Sequence, residues 1–279
     1  MNHSPALNEN YLKSNFAINV TSTTLTDTVR QKADSLIIKN ANKFRKLIKS
    51  ETAQDFKFEQ DDDEVIKIDS NDISREYIDY INNYDDNCAI ITFTNQSAYN
   101  YNIEIRKKLF PGQEEITVGD KIIAVKNHYN SSINIMNGQI GIVKDLDPTP
   151  NTRKVPLNVG VNEQGNRKNI FIDLNFRKMD IEFKDIDNKK HILQFMVLEN
   201  LLYSKQASLT PREVKALFVD FRIRHKDLKP GSEMFQEELK TDVYFNALQI
   251  KFAYAITCHK SQGGEWDSVF VDFKGKNKL

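Results

Sequence analysis

The stretch AYAITCHKSQGGEWDSVFVDF, residues 253–273, constrains the fold of this chain more than any other. Its apolar run breaks at Thr257, His259, Lys260, Ser261 and Gln262, passes Gly263 and Gly264, and turns apolar again at Val269. Apolar flanks on both sides place the polar middle at the rim of a core rather than on a free loop. ALQIKF, just upstream, reads as a strand; AYAITCHKSQ reads as a helix or tight loop ended by the glycine pair; SVFVDF reads as the next strand. The polar cluster then lies at the end of a buried strand in an open sheet, where α/β proteins bind their ligands. A hydroxyl, an imidazole, an ammonium and a carboxamide make a donor-rich patch suited to phosphate oxygens. Glycine at 263 lets backbone approach such a ligand closely.

A second α/β stretch lies earlier. CAIITFTNQSAYNYNIEIRKKLFPG, residues 88–112, reads as a buried strand, a polar turn at Thr94 and Asn95, a helix, and a stop at Pro111 and Gly112. Thr94 or Asn95 caps that helix, and its first amides can also receive a phosphate. Between the two stretches, DKIIAVKNH, QIGIVKDL, NIFIDL, MDIEFKD and HILQFM read as short strands, with tight turns at Asn137-Gly138 and Asp187-Asn188. Strands so short and close predict a small barrel, inserted into the α/β part.

The remaining elements are helical or polar. Residues 29–48 carry apolar side chains at helical spacing, with Asp34 or Ser35 as a cap for a shorter version and Arg30 and Gln31 just ahead of it. Taken alone, Arg30 is a solvated residue at a helix start. DFKFEQDDDEVIKIDSND, residues 55–72, reads as an acidic surface excursion or linker; no apolar strand leads into Asp61, so it is not the metal-binding acidic site of an ATPase. Thr210, Pro211 and Glu213 form a capping box with proline at the first helical position. Val214, Leu217, Phe218 and Phe221 give that helix an apolar face, while Arg212, Lys215, Arg222 and Arg224 are either a solvated face or phosphate contacts.

Lys plus Arg and Asp plus Glu each number 39, so the net charge is zero and a globally basic surface is excluded, though a local basic track is not. Cys88 and Cys258 are the only cysteines, no signal-peptide pattern precedes them, and a reducing, cytoplasmic setting is expected. No apolar run approaches the ~18 residues of a membrane span, so no membrane is expected. His3, His128, His191, His225 and His259 are scattered, and no metal site is expected.

AITCHKSQGGEWDSV, residues 255–269, resembles motif V of superfamily 1 DNA helicases, in the branch of the RecD exodeoxyribonuclease V alpha subunit. Three more stretches resemble the same family in the same order. SPALNENYL followed by TLTDTVRQKADSLIIKNANKFR is similar to the segment after motif III, through motif IV with its Arg-Gln pair. ITFTNQSAYNYNIEIRKKL is similar to the opening of the second RecA-like domain, and VGDKIIAVKNHY with NIMNGQIGIVKDL to the start of its inserted barrel. The shared order weighs more than any one motif.

The resemblance implies an α/β fold: a RecA-like, P-loop NTPase-type second helicase domain with an inserted small SH3-like β-barrel and a helical extension. The implied layout is 1–84 for the segment after motif III with motif IV and the acidic linker, 85–118 and 242–279 for the two parts of the RecA-like domain, 119–196 for the barrel and 197–241 for the helical insertion. It implies that Arg30 is the catalytic arginine reaching the γ-phosphate, and that Arg30, Gln31, Gln262, Gly263 and Glu265 line the nucleotide. Thr94, Asn95, Thr257, His259, Lys260 and Ser261 match positions along single-stranded DNA. Trp266 is a core plug or a base-stacking platform. ATP and Mg2+ are the implied cofactors, held mostly by the first RecA-like domain of a parent protein. The phosphate-binding string G-x-x-x-x-G-K-[ST] does not occur here, and motifs II and VI have no match. The expectation is therefore a helicase piece, 5′ to 3′ in its parent and inactive alone. The rival expectation is a non-catalytic DNA- or protein-binding module.

Overall fold

A computed structural model describes residues 5–21, 23, 35–50, 57–84, 86–161 and 167–273. The chain divides into two compact units, Met1–Lys67 and Ile68–Lys278.

In the first unit, α1 (Glu9–Phe16) starts at Asn8, whose side chain accepts the Tyr11 amide at 3.0 Å, and ends where Ala17 turns left-handed. α2 (Leu36–Ser50) follows Ser35, whose hydroxyl accepts the Ile37 amide at 3.2 Å. Part of the acidic stretch is bonded to this helix. Glu64 accepts the Leu36 amide at 2.6 Å, putting a carboxylate at the free-amide end of α2. Asn40 bonds both the amide and the carbonyl of Glu59, each at 2.8 Å. Asp61 gathers the amides of Asp63, Glu64 and Val65 into a turn, and these bonds hold its carboxyl below the usual carboxylate range.

The second unit begins with α3 (Ile73–Asn83), β1 (Cys88–Thr92) and α4 (Asn95–Leu109). β1 is the centre of a three-stranded parallel sheet, between β8 (Ala255–Thr257) and β9 (Ser268–Val271). Its residues are almost wholly buried, as expected of a parallel strand covered on both faces. Tyr77 of α3 packs edge-on to Phe270, and Ile105 of α4 is buried against the same core. On the outer side of β8, buried Asn102 of α4 bonds the Ala255 carbonyl at 2.8 Å and the Ala255 amide at 2.9 Å, satisfying a sheet edge that would otherwise be open.

The remaining strands are β2 (Lys121–Ala124), β3 (Ile140–Leu146), β4 (Asn151–Val161), β5 (Arg167–Lys184), β6 (Lys190–Leu198) and β7 (Leu248–Phe252). They form a mixed sheet in the order β3-β2-β7-β6-β5-β4, and β3 also pairs with β5. The pairings β3–β2–β7–β6–β5–β3 thus return to their start, leaving β4 outside the ring. β5 is long enough to serve two sets of partners: its first part pairs with β4, its second with β6 and β3. α5 (Pro211–Arg224) packs against β4 and β5 through Ala216 and Leu217, and α6 (Glu233–Thr241) follows. The capping box at Thr210 and Glu213 is present as expected. Among the described residues no helix is long and apolar enough to cross a membrane.

Two sequence expectations need correction. AYAITCHKSQ is neither helix nor loop throughout: Ala255, Ile256 and Thr257 are a strand, hidden from periodicity because all three are buried. ALQIKF is a strand, but it pairs with β2 and β6 of the mixed sheet rather than with the parallel sheet. The chain changes sheets between two adjacent residues. The Ala253 amide still donates to Lys121 of β2 at 2.9 Å, while the Tyr254 carbonyl already accepts from Ile90 of β1 at 2.9 Å.

A buried polar cluster pins this crossing. Asp120, the residue before β2, accepts from Arg106 Nε at 2.7 Å, Arg106 Nη2 at 2.9 Å, the Tyr254 hydroxyl at 2.8 Å and the Thr117 amide at 2.8 Å. Arg106 also donates to the carbonyls of Glu114 and Glu115, and its guanidinium lies 4.4 Å from the centre of the Phe252 ring. Each charge is therefore paired and hydrogen-bonded, which is the condition for burying it.

Candidate nucleic-acid interface

β1 and β8 are parallel neighbours with Thr92 opposite Thr257, so the chain leaves both strands at the same edge of the sheet. The ladder continues one step further, with the Cys258 amide donating to the Thr92 carbonyl at 2.9 Å. β9 ends at this edge too, and buried Asp272 there accepts from Tyr101 of α4 at 3.1 Å. Thr94 and Asn95 therefore emerge beside the turn that carries His259, Lys260, Ser261 and Gln262, although far apart in sequence. This is the carboxyl edge of the parallel strands, the part of an open α/β sheet that receives ligands.

Each side of the edge is held by local chemistry. The Thr94 hydroxyl accepts the Ser97 amide at 3.0 Å, and the first intrahelical bond runs from Ala98 to the Thr94 carbonyl. The capping role of Thr94 is thus observed, and the amides of Asn95 and Gln96 precede the first helical hydrogen bond. Across the edge, the Thr257 carbonyl accepts from the amides of Lys260 at 2.8 Å and Ser261 at 3.0 Å, and the Ser261 hydroxyl donates to the Cys258 carbonyl at 2.9 Å. Thr257 itself is buried, whereas His259, Gln262, Gly263 and Glu265 are exposed and Lys260 and Ser261 half-buried. Burial lowers the pKa of the Lys260 ammonium, whose Nζ donates to Asn137 Oδ1 in the loop between β2 and β3.

The glycine pair has two separate causes. Gly263 has φ +84°, a left-handed backbone that a side chain strains, and nothing lies within 4 Å of where its Cβ would be. At Gly264 a Cβ would sit 2.2 Å from the Trp266 ring, so the second glycine is there for close packing. Trp266 is half-buried against Ile123, Ala253 and Ile256, in keeping with the core-plug alternative. The turn ends where Asp267 bonds Asn87 through backbone and side chain, at 3.0 and 2.9 Å.

The structure therefore brings Thr94, Asn95, Thr257, His259, Lys260, Ser261 and Gln262 to one edge, whereas from Gly263 the chain runs back toward the amino end of β1, where Asp267 meets Asn87, and Glu265 lies on that return. Arg30 and Gln31 lie outside the described residues. Two contributors are absent from the sequence expectations. Asn102 is a polar residue in a helix whose partner, the edge of β8, could not be guessed while β8 read as helix or loop. Asn137 reads only as half of a tight Asn-Gly turn, and nothing local announces that its side chain meets Lys260. Among the described residues no group of three or more His, Cys, Asp or Glu could hold a metal ion.

A family model for the UvrD-like helicase C-terminal domain matches residues 252–276, the segment that carries β8, the turn and β9. The match supports a superfamily 1 helicase C-terminal region, to which the mixed α/β architecture conforms. No curated protein matches the chain.

Proposed function

We propose that this chain is part of an ATP-dependent DNA helicase of the RecD-like branch, translocating 5′ to 3′, and that it supplies the second RecA-like domain with an inserted SH3-like barrel and a helical extension. The observation that supports this most is the convergence of Thr94 and the 258–262 turn at the carboxyl edge of adjacent parallel strands, within the segment that resembles helicase motif V. His259, Lys260, Ser261, Thr94 and Asn95 hold the phosphates of single-stranded DNA, using side-chain and helix-terminal donors. Buried Thr257 acts through its carbonyl, which shapes the turn.

ATP and Mg2+ belong to the parent protein. Exposed Gln262, Gly263 and Glu265 fit one wall of a nucleotide cleft, and Arg30, with Gln31 beside it, is assigned to stabilise the γ-phosphate in the transition state. No phosphate-cradling loop occurs in the sequence and the described residues hold no acidic metal cluster, so no chemical step is assigned to this chain alone. The missing wall is the first RecA-like domain of the same parent.

Two measurements test the proposal on the full chain. A phosphate-release assay with ATP, Mg2+ and single-stranded DNA is expected to give no turnover, and robust turnover would overturn the assignment of inactivity. Fluorescence anisotropy with labelled oligo-dT is expected to show salt-dependent binding, weakened severalfold by Lys260→Ala and by His259→Ala. Affinity unchanged in both variants would remove the edge from the DNA path.

A further inference from the structure

Next to the Lys260–Asn137 contact the mixed sheet opens into a cavity of about 460 Å³, within the size range of small-ligand sites. Its wall is made by the loop after β2 and the segment leading into β7, with Lys126, His128, Tyr129, Asn137, Asn246 and Gln249 among the lining residues. The chemistry of this wall differs from that of the turn beside it. No carboxylate lines it, and Lys126 is the one lysine or arginine. The rest of the polar surface is amide, imidazole and phenol. A phosphate site converges several cationic or backbone donors on one point. Carboxamides, which donate and accept side by side, instead match the edge of a nucleobase. His128 is held by a hydrogen bond to the backbone of Asn246 and by ring contact with Phe195, and its burial lowers its pKa, which favours the neutral ring. Tyr129 is 60% exposed, its hydroxyl accepting from Asn127 at 2.7 Å, so its ring is a fixed, accessible flat surface.

We propose that this cavity receives one unpaired base of the single-stranded DNA whose phosphates pass the β8 turn, with Tyr129 as the stacking surface and Gln249 and Asn137 reading the base edge. The inference rests on the function proposed above and adds to it a base-binding subsite in the mixed sheet. Lys260 is the link between the two: it belongs to the phosphate-holding turn, and its ammonium is tethered to Asn137 on the cavity wall. Asn127 steadies the same wall, its Oδ1 accepting the Asn137 amide at 2.7 Å. A strand that runs along the turn therefore has a polar recess within reach of the next base, and stacking on an aromatic side chain is tolerant of base identity.

The test compares two labelled oligomers of equal length, oligo-dT and its abasic counterpart, by anisotropy with the full chain. Tyr129→Ala should weaken oligo-dT binding about tenfold, the scale of a lost base–aromatic stack, and leave abasic binding unchanged. Tyr129→Phe, which keeps the ring, should restore oligo-dT affinity. Gln249→Ala should weaken oligo-dT severalfold and again spare the abasic strand. Lys260→Ala should weaken both oligomers. If Tyr129→Ala has no effect, or lowers both affinities equally, the base subsite is overturned while the phosphate-binding edge stands. If the wild-type chain binds neither oligomer, the DNA-binding function fails and the subsite fails with it.

Discussion

Replacing Asp120 with alanine tests whether the polar cluster at the sheet crossing is what holds the second unit together. Asp120 is fully buried and Arg106 only 3% exposed. The substitution removes four accepted hydrogen bonds and leaves the guanidinium with just the carbonyls of Glu114 and Glu115. Breaking a buried pair by deleting one partner costs about 3–5 kcal/mol, because the other charge stays buried without compensation. At roughly 2–4 °C per kcal/mol for a chain of this size class, the melting temperature should fall by about 10 °C. The double variant Asp120→Ala with Arg106→Met separates this cause from simple loss of packing. Removing both charges should cost clearly less than the sum of the two single variants, giving a coupling of about 1–3 kcal/mol. Equilibrium urea unfolding of the four proteins reads this directly. A loss below about 1 kcal/mol for Asp120→Ala, or strict additivity in the double variant, would refute the argument that the charge pair governs this junction.

Three further outcomes follow from the geometry. Gly264→Ala places a methyl group against the Trp266 ring and should destabilise by about 1–3 kcal/mol; since Trp266 is the only tryptophan, its emission should shift to the red as the ring is displaced, and an unchanged spectrum would contradict the contact. Thr94→Ala removes the α4 cap and should cost about 1 kcal/mol in a urea melt, with Thr94→Ser recovering most of it. For Asp242, burial raises the carboxyl pKa, but hydrogen bonds from Arg224, the Phe245 amide and His225 outweigh it and hold the value at about 2, below the ordinary 3.8. Its stabilisation is complete above the unfolded value and is lost as pH falls toward the folded one, so about 2 kcal/mol should disappear between roughly pH 4 and pH 2. Asp242→Asn should flatten that part of the stability profile, and an identical acid dependence would argue against the ion cluster.

What the sequence made legible was local. The Thr210 capping box, the Thr94 cap and the strand of residues 88–92 depend on neighbours within a few positions, and each is found as expected. What it hid depends on distant partners. β4 escaped notice because Pro156 argues against a strand, yet β4 is the outermost strand of its sheet, the place where proline is tolerated. NIFIDL and MDIEFKD read as two strands because polar residues separate them, whereas they are halves of β5, whose two parts meet different partners. On α5, Val214 was expected on the apolar face but is exposed, while Asp220 is buried because Arg153 and Arg224 pair with it. At the candidate site, the polar residues of the 257–262 turn were visible as a break in an apolar run. Their meeting with Thr94 required the β1–β8 register, and the bond from Lys260 to Asn137 spans 123 positions that no local pattern connects.

The passage from one sheet to the other at Ala253 and Tyr254 has a mechanical meaning. With hydrogen bonds to different sheets on adjacent residues, the backbone has no slack there to absorb a displacement. A pull on β7 would travel along a taut tether through Tyr254 and Ala255 to the turn that carries His259. Under the function proposed above, sensing and gripping the strand become one movement, delivered over a few peptide bonds.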